Sequence, residues 1–207
     1  MREELERRVA LPTRTRYLAM AELSLLNEIA AEVTPLFGDT LFGTERTFNL
    51  SDLHPHNIFV VGEKCILIFD YDVRDEWPEV ATRSFALHRL CRECVRRNVR
   101  SASLLASPDL FSAAEFELIR ESAAAFLEGY SAARPDASKL IGTTEGVTWA
   151  AAINFAKLVD CLGYALLREP DPMSRAEERL YSEVVKFFSY LKELRVFKQV
   201  FDKPLSR

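Results

Sequence analysis

The chain has 207 residues, 48% of them hydrophobic and 28% charged, with a formal net charge of −4. Such a length and apolar content suit a single core, and the mildly acidic balance gives no support to a nucleic-acid-binding surface. No apolar run is long enough for a bilayer span, and the opening Met1-Arg2-Glu3-Glu4-Leu5-Glu6-Arg7-Arg8 is unlike a signal peptide, so a cytoplasmic protein without membrane contact is expected.

The first expected element is a helix. Leu18, Ala21, Leu25, Ile29 and Val33 recur at intervals of three or four, and Pro35 with Gly38 ends the pattern. Next comes Asn49-Leu50-Ser51-Asp52-Leu53-His54-Pro55-His56-Asn57. Two short β-branched and aromatic runs follow, Phe59-Val60-Val61 and Cys65-Ile66-Leu67-Ile68-Phe69, joined by Gly62-Glu63-Lys64, which predicts a β-hairpin. The second run leads into Asp70-Tyr71-Asp72.

Antiparallel pairing would bring Asn57, before the first strand, near Asp70, after the second. An amide carbonyl and a carboxylate are hard oxygen donors, the kind magnesium takes beside water and nucleotide phosphates. Asp52, on the loop entering the hairpin, is placed to orient an attacking hydroxyl or accept its proton. Asp72 lies two residues after Asp70, on the same side of an extended backbone, and would either add a carboxylate to the metal site or, with no cation bound, repel its neighbour. His54-Pro55-His56 beside these carboxylates also admits a transition-metal reading, that of a metal-dependent phosphohydrolase, although His-x-His on a loop is a weak zinc signature.

Ser-Asp-Leu-His-Pro-His-Asn, an apolar hairpin and then Phe-Asp-Tyr-Asp resemble the catalytic and metal-binding segments of the aminoglycoside phosphotransferase and choline kinase group, a branch of the protein-kinase-like fold. The resemblance implies Asp52 as catalytic base, Asn57 and Asp70 as magnesium ligands, His54 as loop support and ATP as phosphoryl donor. It departs from the family pattern where the usual His-Gly falls on Leu50-Ser51. Only about fifty residues precede the segment, with no Gly-rich loop and no strand-borne Lys. The nucleotide-clamping N-terminal lobe is therefore expected to be missing, or supplied by a partner chain.

After Asp72, the stretch Val73-Arg74-Asp75-Glu76-Trp77-Pro78-Glu79 reads as a solvated polar loop, with contact of Asp75 and Glu76 to a cationic substrate as the lesser alternative. A helix is predicted over 82–99. It carries Cys91 and Cys94 on a core face with Leu87 and Leu90, while Arg89, Arg92, Arg96 and Arg100 form an exposed basic stripe. The cysteines, which include Cys65 and Cys161, complete no zinc pattern and suit a reducing compartment. His88 is expected to be packed and without a catalytic role.

Ser112-Ala-Ala-Glu115 is a capping-box pattern opening a helix with Phe116, Ile119, Ala123, Phe126, Leu127 and Tyr130 inward, stopped by Pro135. A helix over 144–168 is dense in apolar residues, which predicts a central position. Asn154, Lys157, Cys161, Tyr164 and Arg168 fall on its more polar side, and there the resemblance makes Asn154 and nearby Asp160 candidates for substrate contact. Ser174-Arg-Ala-Glu177 opens a last helix with Leu180, Val184, Phe187, Phe188, Leu191 and Leu194 inward.

The expected fold is α+β and mainly α: a protein-kinase-like C-terminal lobe, in which a helical bundle supports a small β-hairpin carrying the catalytic and metal-binding loops. One domain spans 1–207, with a leading helical segment (1–46), the catalytic loop and hairpin (47–72) and the bundle (73–207). The expected function is an ATP- and magnesium-dependent small-molecule kinase acting on a hydroxyl of an aminoglycoside, amino alcohol, sugar or homoserine. The alternative is a kinase-derived binding or regulatory module that keeps the motif without turnover.

Overall fold

A computed structural model describes residues 20–37, 49–50, 53–68, 73–74, 77–94, 111–135, 139–167 and 175–202. These are mainly helical, with two short antiparallel ladders. In chain order the elements are α1 (Met20–Val33) and a 3-10 turn (Thr34–Phe37), then β1 (Asn49–Leu50), a second 3-10 turn (Pro55–Asn57), β2 (Ile58–Val61), β3 (Lys64–Ile68) and β4 (Val73–Arg74). Four long helices complete the chain: α2 (Glu79–Cys94), α3 (Ala113–Ala133), α4 (Thr144–Leu167) and α5 (Arg175–Phe201).

α4 is the centre of the bundle, and α1, α2 and α5 all pack against it. Its residues explain why. Val147, Trp149, Ala150, Ala151, Ala152, Ile153, Leu158 and Leu162 are buried, which leaves little of the helix surface polar enough to face water. The runs of alanine let neighbouring helices approach, while Phe85 of α2 and Phe188 and Phe197 of α5 fill the space between them. Each such side chain contributes roughly 1.5–3 kcal/mol by leaving water.

One approach is too close for any Cβ. At Gly146, in the first turns of α4, a Cβ would collide with the Leu140 carbonyl oxygen and stand 2.7 Å from Ser84 Oγ on α2. A glycine here sets how near α2 can come.

The helix ends are tied by side chains. Ser112 and Glu115 form the expected capping box at the start of α3, the Ser112 hydroxyl accepting from the Glu115 backbone N–H while the Glu115 carboxylate accepts from the Ser112 backbone N–H at 2.7 Å. Arg120 of α3 donates to the Val200 carbonyl at 2.8 Å, satisfying an acceptor in the last turn of α5 that has no intrahelical partner. Glu79, in the first turn of α2, accepts from the Tyr130 hydroxyl and lies 3.6 Å from Arg134, so the start of α2 is pinned to the end of α3. Ion pairs Arg195–Glu28 and Lys198–Glu32 join α5 to α1 at the surface, where such pairs add little.

The helices match the sequence pattern closely, with three corrections. Val73 and Arg74 form a strand rather than part of a loop, because they pair with Asn49 and Leu50. α2 begins at Glu79, three residues before the expected start, since Pro78 accepts from the Ala81 and Thr82 backbone N–H groups and opens the helix there. Arg89 is buried and Arg92 largely so, turned towards α5 instead of forming an exposed stripe; Arg96 and Arg100 lie outside the described residues. Leu87 and Cys91 are buried as expected, and no helix among the described residues is long and apolar enough to cross a membrane.

Candidate functional site

The backbone around the Asp-rich stretch is defined by two ladders. β2 and β3 pair as Ile58↔Ile68 and Phe59↔Leu67, shift register between Phe59 and Val60, then continue as Val60↔Cys65 and Val61↔Lys64. Gly62, at a φ of 59°, takes the left-handed conformation that a two-residue hairpin loop requires. β1 and β4 pair as Asn49↔Arg74 and Leu50↔Val73. Both ladders join the same two stretches of chain, and partner residues in such ladders stand about 4.5–5.5 Å apart at Cα.

Residues 51–57 and 69–72 are the intervals between the ladders, so each interval is tethered at both ends to the other. In sequence, Asp52 is two residues past Leu50 and Asn57 directly precedes Ile58; Asp70 is two residues past Ile68 and Asp72 directly precedes Val73. Asp52, Asp70 and Asp72 themselves, with Asp75 and Glu76, lie outside the described residues.

Asn57 is described, and it is only 4% exposed. It ends the 3-10 turn that Pro55 begins, a position that suits proline's fixed φ and missing donor. The Asn57 backbone N–H donates to the His54 carbonyl at 2.9 Å, and the Ile58 N–H donates to the Pro55 carbonyl. His54 is extended and half-buried. α2 packs behind both this turn and β1, giving the loop a rigid support. Trp77, just before α2, meets Phe37 edge to face with ring centroids 5.8 Å apart.

The two substrate candidates on α4 are placed very differently. Asn154 is fully buried in the helical core, its amide nitrogen donating to the Ala150 carbonyl at 2.8 Å. Asp160 is exposed. Six residues at 100° each set the two side chains about 120° apart around the axis. Asn154, expected on the polar side, lies inside because α4 is covered on several sides at once.

A second polar cluster escaped the sequence reading. Between α2 and α5, His88, Arg89 and Arg92 meet Tyr190, Glu193 and Phe197. Arg92 Nε donates to Glu193 Oε2 at 2.7 Å, and Arg92 Nη1 lies 3.6 Å from Glu93. His88 Nε2 is 3.6 Å from Glu193 Oε2, and its ring stands edge-on to Phe197 with centroids 5.3 Å apart. The Arg89 and Arg92 guanidinium groups lie 4.3 Å and 4.9 Å from the Tyr190 ring centroid.

Burial holds the His88 imidazole below its ordinary range, so it is neutral near pH 7. Burial pushes the Glu193 carboxyl up, but His88 and Arg92 beside it outweigh that and keep it below the usual carboxylate range. The available signal was Glu193 itself, a carboxylate in line with the apolar stripe of the last helix.

No protein-family model, curated protein or solved structure matches this chain.

Proposed function

We propose that the chain carries the catalytic centre of an ATP- and magnesium-dependent phosphotransferase of the aminoglycoside phosphotransferase and choline kinase type, acting on a hydroxyl of a small polar substrate. The observation that carries this reading is the pair of ladders: together they tether 51–57 to 69–72, the two intervals that contain all three polar positions of the motif. The buried Asn57 at the junction, backed by α2, adds support, since a ligand for a metal must be held still.

The donor set is all oxygen, which suits a hard divalent cation: Asn57 and Asp70 would hold magnesium, with Asp72 adjoining. When bound, the ion neutralises charge on the transferred phosphate. Asp52 orients the acceptor hydroxyl and takes its proton at the carboxylate. His54 supports the loop. Phosphoryl transfer needs little covalent chemistry from the protein, so positioning and charge are the whole task of these side chains.

Phe59, Val60, Val61 and Leu67 of the hairpin are each more than half exposed, so both sides of this ladder carry apolar surface, which suits cover by a nucleotide base and a clamping lobe or partner chain. The same surface favours a second reading, a kinase-derived binding or regulatory module that docks without turnover.

Calorimetric titration with a non-hydrolysable ATP analogue separates them. Magnesium-dependent binding is expected, abolished in Asp70→Asn and retained in Asp52→Asn. The absence of binding at about millimolar nucleotide, with the chain folded, overturns the phosphotransferase reading and leaves the docking module.

A further inference from the structure

The β2–β3 hairpin is a two-stranded ladder, and among the described residues no third strand joins either of its edges. A ladder of two strands is marginal in water, and an open edge offers its N–H and C=O groups as a template for another strand. The two edges differ. β3 opens with the exposed Lys64, and the register shift leaves Ile66 without an opposite residue, so a bulge bends that strand. A lysine and a bulge both discourage further pairing. β2, which reads Ile58-Phe59-Val60-Val61, has no charge, no proline and no extra residue, and Phe59, Val60 and Val61 are each more than half exposed.

Register and turn fix which groups β2 presents. The two-residue loop Gly62-Glu63 makes Val61 and Lys64 a hydrogen-bonded pair, so by the alternation of an antiparallel ladder the N–H and C=O of Val60 point away from β3. At Ile58 the N–H is already given to the Pro55 carbonyl. An incoming antiparallel strand therefore finds both a donor and an acceptor at Val60 and not at Ile58. A second β2 meets that condition by symmetry. With a two-fold axis at Val60, each Val60 N–H donates to the other's carbonyl, and Phe59 of each copy stands opposite Val61 of the other, an aromatic and β-branched pair made twice. An axis at Phe59 would instead demand the Ile58 N–H. No like charges meet across this pairing, since β2 carries none.

We propose that the outer edge of β2 pairs with the same edge of a second copy of this chain, antiparallel about Val60, joining two hairpins into one four-stranded sheet. The blunted β3 edges end the assembly at two copies. The pairing uses the edge of the hairpin rather than the Asn57 loop, needs neither metal nor nucleotide, and stands independently of the phosphotransferase reading. Four residues a side make a small contact, so the dimer is reversible.

The test is sedimentation velocity of the full chain over about 1–300 μM, with the fold of each variant checked by circular dichroism. The wild type is expected to pass from monomer to dimer across that range and no further. Val60→Lys keeps the N–H but sets two like charges directly opposite, and Val60→Pro removes the N–H while sparing the bonds between β2 and β3; each is expected to raise the dissociation constant about tenfold or more. Leu67→Lys on β3 removes exposed apolar surface without touching the β2 edge, and is expected to stay within about twofold of the wild type. Val60 is exposed, so Val60→Lys carries the test where Val60→Pro melts early.

A chain that stays monomeric to the top of the range overturns the proposal. A dimer that survives Val60→Lys also overturns it, by placing the contact elsewhere. Association that grows beyond two copies overturns the closed pairing. Equal weakening by Leu67→Lys overturns it too, by showing that apolar faces pack together rather than strand edges.

Discussion

Replacing Glu193 with glutamine keeps the shape of the side chain and removes its charge. Glu193 is 6% exposed at the side chain and Arg92 is 22% exposed, with 2.7 Å between Nε and Oε2. Breaking a buried pair of this kind typically costs about 3–5 kcal/mol, because the surviving charge stays buried. Three features reduce that figure here. Arg92 is partly open to water, it keeps Glu93 at 3.6 Å, and the glutamine oxygen still accepts a hydrogen bond. About 2 kcal/mol is therefore expected, and for a chain of this length it lowers the melting midpoint by about 4–8 °C.

The assay is urea unfolding by circular dichroism with a fitted slope, so that a loss of stability is distinguished from a change in cooperativity. The double variant Glu193→Leu with Arg92→Met is the companion, since matched apolar replacements of a buried pair are often neutral or stabilising. It should recover most of what Glu193→Gln loses. A Glu193→Gln variant within about 0.5 kcal/mol of the wild type would refute the reasoning, as would a double variant no better than the sum of its single changes.

Two further outcomes follow from the same packing. Stability should fall as pH drops. His88 titrates below 6.5 in the folded chain, so beneath pH 6.5 the unfolded chain binds that proton first and gains on the native state. Glu193 titrates below 4.5, so its contribution is present above that value and is lost as pH falls through the folded value. Melting midpoints across this range should decline less steeply in His88→Gln, and identical slopes would refute the assignment to His88. At Gly146, alanine ordinarily favours a helix by about 1 kcal/mol. Here it should instead destabilise by about 1–3 kcal/mol in urea unfolding, since its Cβ meets the Leu140 carbonyl and Ser84; a stabilised Gly146→Ala would show that α2 and α4 stand further apart.

Much of the architecture is local and was therefore legible in the residues. The capping box at Ser112 and Glu115 marks the start of α3, and the glycine at 62 between two β-branched runs marks the hairpin turn. The density of apolar residues on α4 marks the central helix. In each case the signal is a preference of a few neighbouring residues, which the folded chain has no reason to override. The motif residues Asp52, Asn57, Asp70 and Asp72 were read from their spacing and from a family resemblance, and of the four only Asn57 lies among the described residues.

Other features exist only between elements. β1 and β4 are two residues each, too short to show any alternation, yet their pairing gives the motif its second tether. Arg89 and Arg92 read as a solvated stripe, because charge and helical period say which residues share a face but not what that face meets. Only the placement of α5 decides it: Tyr190 supplies a ring to stack on and Glu193 a carboxylate to pair with, and both lie far away in sequence. Asn154 shows the same limit from the other side, a polar residue carried inside because neighbouring elements cover its side of α4. Sequence determined the elements; tertiary packing decided which charges leave water, because burial depends on partners that no local pattern encodes.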